Sequence, residues 1–319
     1  MSEDPLFYVL AYYRFHSIDD PHAFIATHKA FMKDRNMTCR IYISEQGING
    51  QTSGIREDAE AYMRWMHTHP IFENMPFKIH AHHENVFPRQ IVKYRKQLVA
   101  LDEEVDLENS GDHLSPEEWK EMLENGDDRI LIDVRNQYEW EVGRFEGAEC
   151  PPCETFREFK DYALSLKDRE DAKEKPVLMY CTGGIRCELY SALLKREGFQ
   201  KVYQLSGGII NYGLKQGTAH WLGKLFVFDD RLTIPIAEGS SPVIGQCHHC
   251  KTPSDSYCNC ANMECNNLYL CCLECSEKYT GCCSAECKAA PRVRPYQLLN
   301  AHKPFRKKHH YFSEQKKPH

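Results

Sequence analysis

The sequence predicts a chain of mixed class: an α+β sandwich, then a doubly wound α/β parallel sheet, then a cysteine-rich end that folds around metal. Three observations predict it. Between Leu6 and Phe87 the apolar residues switch between a period of two and a helical period, in the order strand, helix, strand, strand, helix, strand. Strands and helices then alternate as far as Leu205, and Pro176-Val-Leu-Met-Tyr180 is apolar throughout, as a strand buried on both faces must be. Finally, eleven of the sixteen cysteines crowd between Cys247 and Cys287. At 319 residues the chain is long enough for two or three domains.

The first region, residues 1–90, reads as a strand over Leu6 to Phe15, a helix from His22 to Arg35 and a strand from Thr38 to Ile43. Phe24, Ile25, Phe31 and Met32 share one face of that helix. Gly47 and Gly50 predict a turn, followed by a short strand over Gln51 to Ser53, a helix from Glu57 to His69 and a strand from Phe77 to Phe87. This βαββαβ order is a ferredoxin-like, or acylphosphatase-like, pattern.

Residues 91–114 read as a linker, basic at first and then acidic. Arg89, Lys93, Arg95 and Lys96 supply the basic stretch and are candidate RNA contacts. The second domain, residues 115–222, opens on Ser115-Pro116-Glu117-Glu118, an N-cap with proline in the first turn, so a helix runs through Trp119 to Leu123. A strand over Arg129 to Asp133, a helix near Gln137 to Val142 and an amphipathic stretch from Thr155 to Leu166 follow. The buried strand ending at Tyr180, a helix from Glu188 to Glu197 and a strand from Lys201 to Leu205 complete it. In such sheets reactive groups gather beyond the carboxyl ends of strands, and Cys181 stands there.

A hydrophobic fraction of 42 % with 27 % charged residues is that of a globular chain, and no apolar run approaches a membrane span. The start, MSEDPLFYVLAYYRF, carries acids where an export signal has basic residues, which predicts a cytoplasmic protein. Charge is uneven. The net of −6 conceals a tail, 288–319, with nine Lys or Arg against the single acid Glu314; the tail is therefore +8 and the remainder −14. A basic tail, assigned to residues 289–319, suits either an electrostatic arm for nucleic acid or a solvated end.

The loop Cys181-Thr182-Gly183-Gly184-Ile185-Arg186 joins a strand to a helix. Backbone N–H groups aimed at the sulfur, the positive end of the helix and the Arg186 charge all favour thiolate over thiol, and the paired glycines permit the turn. Cys181 is thus the candidate nucleophile, with Arg186 beside it and Thr182, Gly183, Gly184 and Ile185 as its cradle. Cys187 either resolves an oxidised Cys181 as a disulfide or packs as a small apolar residue. Cys150-Pro-Pro-Cys153 reads as a rigid structural loop.

This loop resembles the active-site loop of rhodaneses, which carry a cysteine persulfide. Six residues from Cys through Arg match the sulfurtransferase type; the related phosphatases have one more. Leu131-Ile-Asp133-Val-Arg135, Tyr138, Glu139 and Gly143 to Ala148 are similar to the rhodanese signature around its first strand, with Arg144 in place of its usual histidine. Leu205-Ser-Gly207-Gly208-Ile209 resembles the closing signature. Met179 to Glu188, the stretch Phe226 to Arg231, the first sandwich and the cysteine-rich end together resemble the bacterial tRNA uridine hydroxylase family over essentially the whole chain. That resemblance implies oxygen-dependent conversion of the wobble uridine to 5-hydroxyuridine, with molecular oxygen as co-substrate, the anticodon region of tRNA as partner and Cys181 as the essential residue.

Residues 223–288 form the cysteine-rich region. Cys247 and Cys250, Cys260 and Cys265, Cys272 and Cys275, and Cys283 and Cys287 make four pairs spaced for tetrahedral zinc, enough for two structural ions. The pairs combine either in sequence or crosswise. Cys258, Cys271 and Cys282 are spare, Cys282 could replace Cys283, and His248 and His249 lie inside the first pair. An iron–sulfur cluster is the alternative. Three functions compete on the sequence: the tRNA hydroxylase, a sulfurtransferase using a Cys181 persulfide, and a zinc-dependent adaptor with a vestigial nucleophile.

Overall fold

The computed structural model describes residues 6–125, 128–239 and 241–296. The first unit has the expected order: β1 Phe7–Phe15, α1 Pro21–Met32, β2 Met37–Ser44, β3 Gly47–Ile55, α2 Arg56–His67 and β4 Lys78–His82. Asp20 starts α1 by accepting the Ala23 N–H at 2.9 Å, with Pro21 in the first turn. A further strand, β5 Gln90–Tyr94, pairs parallel with β2, and the sheet runs β4-β1-β3-β2-β5. Both helices cover one face, burying Leu10, Tyr12, Cys39, Ile41 and Ile48 against Ile25, Met32, Tyr62 and Met66. Strand alternation sends Ala11, Tyr13, Arg40, Tyr42, Asn49 and Gln51 to the other face.

Two expectations for this region are corrected. Gly47 and Gly50 do not make a turn followed by a short strand; both belong to the nine-residue β3, and the hairpin turns at Glu45-Gln46. Gly50 is glycine because a Cβ there would lie 2.4 Å from the Tyr12 ring. The boundary at residue 90 is also wrong, since Gln90–Tyr94 is a strand of the first sheet. Its Val92 is buried while Lys93 is exposed, and a lysine on an edge strand is a common guard against further pairing, which on sequence alone imitates a linker.

In the second unit, β6 Asp112–Leu114, α3 Pro116–Asn125, β7 Ile130–Asp133, α4 Gln137–Trp140, β8 Gly143–Phe145 and α5 Phe159–Ser165 precede the nucleophile loop. They are joined by β9 Val177–Tyr180, α6 Ile185–Arg196, β10 Val202–Leu205, α7 Gly208–Gln216 and β11 Trp221–Gly223. Four strands form an all-parallel sheet, β6-β10-β9-β7. The capping box at Ser115 is present: Glu118 N–H donates to Ser115 Oγ at 3.2 Å and Ser115 N–H to Glu118 Oε2 at 2.8 Å. One core lies on the α5–α6 side of the sheet and another on the α3–α7 side.

The region expected over 223–288 is not cysteine-rich from its start, and its first part packs on the second unit. After the short pair β12 Leu225–Phe226 and β13 Thr233–Ile234, residues Leu225, Val227 and Ile236 pack into the α3–α7 core. Their apolar side chains belong to the parallel-sheet unit because that is where they are buried. The cysteine-rich cluster has its own small core from Cys247 onward, built on β14 Tyr257–Asn259, β15 Leu268–Leu270, α8 Leu273–Lys278 and α9 Ala285–Lys288. The basic tail beyond residue 296 lies outside the described residues.

The open face of the first sheet meets the second unit. Tyr13 Oη donates to Glu188 at 2.9 Å, Lys78 Nζ to the Gly183 carbonyl at 2.7 Å, and Arg40 to the Phe228 carbonyl at 2.8 Å.

Candidate active site

Cys181 follows β9 directly and is fully buried. The chain must leave the strand and enter α6 within four residues, and Gly184 absorbs the change at φ +105°, a conformation L side chains rarely adopt. Its N–H donates to Cys181 Sγ at 3.1 Å. Gly183 has no such requirement; a Cβ there would make only ordinary contact, 3.8 Å from Lys78 Nζ. The carbonyls of Cys181 and Thr182 are held from behind by the N–H groups of Ile209 and Ile210, at 3.0 and 3.2 Å. Gly208 lets α7 come this close, because a Cβ there would meet the Cys181 carbonyl oxygen at 2.6 Å.

Burial opposes ionisation of Cys181, yet it is outweighed. A hydrogen bond with Cys187, the Arg186 charge and the N–H groups of Arg186 and Gly184 together pull the thiol down from 9.0 to about 5. Cys187, buried as well and beside an ionised sulfur, is pushed the other way. The cradle therefore separates two adjacent cysteines into a thiolate and a thiol.

Arg186 does not stand free over the loop. Its guanidinium forms a two-pronged ion pair with the fully buried Glu139, Nη2 to Oε2 being 2.8 Å, and Thr182 Oγ1 donates to the same carboxylate at 3.2 Å. Glu139 is itself aimed by α4, where it closes a capping box with Asn136. The loop is thus anchored from outside itself, and Arg186 acts on Cys181 from a fixed position.

Above the sulfur lies a cavity of about 360 Å³ between the loop and the open sheet face. Tyr13, Tyr42, Phe156 and Phe228 give it aromatic walls, and Asn49, Gln51 and Asn136 give it amides. Apart from the Cys181 thiolate, the charged residues in its lining are cations: Arg40, Lys78 and Arg186. Burial lowers the Lys78 ammonium to about 8 even with Cys181 and Glu188 nearby. A separate groove of about 1710 Å³ shares Tyr13 and Lys78 and has more acids in its lining, among them Glu45, Asp102, Glu103 and Glu188, than lysines and arginines.

In the cysteine-rich region the eight predicted ligands gather as two groups of four, and the pairing is crosswise: Cys247 and Cys250 with Cys272 and Cys275, Cys260 and Cys265 with Cys283 and Cys287. Neighbouring sulfurs are 3.6 Å apart for Cys250 and Cys272, and 3.7 Å for both Cys265 with Cys283 and Cys283 with Cys287. Four thiolates at ~2.3 Å from one tetrahedral zinc stand roughly 3.8 Å from each other, so each group fits a single such ion. Backbone N–H groups of Cys275 and Cys283 donate to Cys272 Sγ and Cys260 Sγ, both at 3.5 Å, as ligand sulfurs require. Cys258, Cys271 and Cys282 are buried in the small core, and His249 stacks on Tyr279 at 3.8 Å; neither histidine joins a group.

Three family models cover the chain: a UPF0176 acylphosphatase-like domain over residues 7–98, a rhodanese-like domain over 115–214 and a rhodanese C-terminal domain over 222–288. A protein of Protochlamydia amoebophila called tRNA uridine(34) hydroxylase is 68 % identical over 314 residues, spanning 98 % of both chains. The chain belongs to the tRNA uridine(34) hydroxylase family. A member from Chlamydia abortus is 56 % identical over 306 residues, covering 95 % of this chain and 93 % of its own. Among solved structures, a rhodanese-like domain from Anabaena is 22 % identical with a TM-score of 0.29, covering 35 % of this chain and 78 % of that one.

In this member of the uridine hydroxylase family the predicted loop residues come together, whereas the basic stretch divides. Lys93 lies opposite Tyr42 in the sheet register, and Arg95 packs over the Tyr42 ring at 5.0 Å. Lys96 lines the acidic groove instead, and Arg89 precedes β5 as an exposed residue. Sequence reasoning missed Glu139 as the partner of Arg186, and it missed Tyr13, Asn49, Gln51 and Lys78 altogether. The alternation in β1 to β4 gives one apolar face and one face of amides, tyrosines and cations, but a solvent-facing sheet carries the same pattern, so sequence alone could not single these residues out. Among the described residues no helix is long and apolar enough to cross a membrane.

Proposed function

We propose that the chain is a tRNA-modifying enzyme that hydroxylates the wobble uridine, in the anticodon region, to 5-hydroxyuridine, using Cys181 as its essential thiolate and molecular oxygen as co-substrate. The observation that carries this reading is the Cys181 thiolate at the floor of a cavity whose other charged side chains, Arg40, Lys78 and Arg186, are cations, in a chain of net negative charge. Relatives of matching length are named for that activity, and their names do not favour the sulfurtransferase alternative.

Thiolate addition at C6 of a uracil makes C5 electron-rich, and the developing negative charge on O4 suits donors such as Lys78. One oxygen atom enters at C5. The other leaves as water with two electrons and two protons from a cellular thiol-class reductant, and departure of Cys181 from C6 with loss of the C5 proton restores the double bond. Cys187, held as a thiol, serves the reaction by its hydrogen bond to the Cys181 thiolate.

Zinc is the ion proposed for both cysteine groups. It would cross-link a region with few large apolar side chains and take no part in the reaction. The setting is cytoplasmic, where tRNA is. Replacement of Cys181 by alanine followed by nucleoside analysis of tRNA tests the proposal: 5-hydroxyuridine disappears if it is right and persists if it is wrong.

A further inference from the structure

The open sheet face of the first unit has no assigned task, yet it is the roof of the Cys181 cavity. In the sheet register Tyr13 pairs with Asn49, Asn49 with Tyr42, and Tyr42 with Lys93, so these four form one row across β1, β3, β2 and β5. Ala11, Gln51 and Arg40 form the adjacent row, with Lys78 beside Ala11. The side-chain amides of Asn49 and Gln51 are partly buried, line the cavity and carry no hydrogen bond among the described residues. Neither amide is sealed from water, so their donors and acceptors, uncommitted to the protein and facing a cavity, are available to a ligand.

We infer that this face is a base-reading wall: the cavity takes one unpaired pyrimidine base turned out of an RNA, with Asn49 and Gln51 hydrogen-bonding its edge and the Tyr42 ring against its face. The inference rests on the proposed tRNA reaction and names how its base is held. Several features agree. An enzyme that reacts at a base must take that base out of its stack, and it then reads the exposed edge with amides and the face with aromatic rings. The cavity's volume is that of a small-molecule site and is too small for a folded helix. Arg186 is committed to Glu139, but Arg40 and Lys78 keep N–H groups beyond their bonds to the Phe228 and Gly183 carbonyls, and such donors match the two carbonyl oxygens of uracil and oppose the exocyclic amine of cytosine. Lys93 and Arg95 continue the same face outward toward the edge strand, where a phosphate backbone would pass. The larger groove carries Glu45, Glu104 and Glu108 among its acids, which makes the β5 side, with Lys93 and Arg95, the more favourable approach for such a chain.

The test uses the full-length, metal-loaded protein and an anticodon stem-loop RNA carrying 4-thiouridine at the unpaired target position. On irradiation the wild-type protein should cross-link through peptides that contain Tyr42, Asn49 or the Cys181 loop. Cross-links confined to the cysteine-rich region or to the acidic groove overturn the inference. In parallel, Asn49→Ala with Gln51→Ala should lower 5-hydroxyuridine formation by about tenfold or more while leaving Cys181 thiolate absorbance unchanged. An unchanged yield in that double variant, with Cys181→Ala inactive, overturns the base-reading wall alone. Retained activity in Cys181→Ala overturns the tRNA reaction on which it rests.

Discussion

At the scale of the residue, the chemistry turns on one ionisation. Cys181 titrates near 5 instead of 9.0, so it is a thiolate throughout the neutral range, and activity should fall as pH drops through about 5 and again as pH rises through about 8, where the Lys78 donor loses its proton. The same shift contributes to stability. A group whose ionised form is favoured on folding stabilises fully above its unfolded value of 9.0, progressively less as pH falls, and not at all below about 5. Cys187→Ala removes a hydrogen bond that helps hold the charge, so the midpoint should rise, read as the ultraviolet absorbance lost in Cys181→Ser. An unmoved midpoint would contradict the hydrogen-bond account. The nucleophile was legible because its determinants are contiguous in the chain. Glu139 and Lys78 were not, because they reach the loop from 47 and 105 residues away and only folding brings them there.

At the scale of the element, the strand-to-helix joint at Cys181 depends on one glycine more than the other. Gly184→Ala must adopt φ +105° and also approaches the Tyr13 hydroxyl at 2.8 Å, which should cost about 1–3 kcal/mol, measurable as a lower denaturation midpoint. Gly183→Ala is not strained in this way and should leave stability within roughly 0.5 kcal/mol. The sequence treats the two glycines alike, since a Gly-Gly pair says that some left-handed position is needed without saying which. The strands of the first sheet were legible from alternation, except β5, whose lysine-bearing edge has the composition of a linker. The short β12 and β13 pair escaped for a different reason: two-residue strands have no period to detect.

At the scale of the whole molecule, the first two units meet around one cavity, and the third, which lines none of it, holds both cysteine groups. Removing metal with a chelator should open residues 247–288 to protease while the two sheets keep their cooperative transition, and the intact chain should carry two zinc ions by native mass spectrometry. Loss of both sheets together, or no change at all, would contradict that division. Cysteine spacing made the eight ligands legible, but their crosswise pairing depends on how β14, β15 and α8 pack, which spacing does not encode. The central claim is that the cradle built around Cys181 acts on the wobble uridine of tRNA. Its most direct test is quantitative nucleoside mass spectrometry of tRNA from cells whose only copy of this protein is either wild type or Cys181→Ala. The account predicts 5-hydroxyuridine at the wobble position with the wild type and none with the variant; equal amounts in both would contradict it.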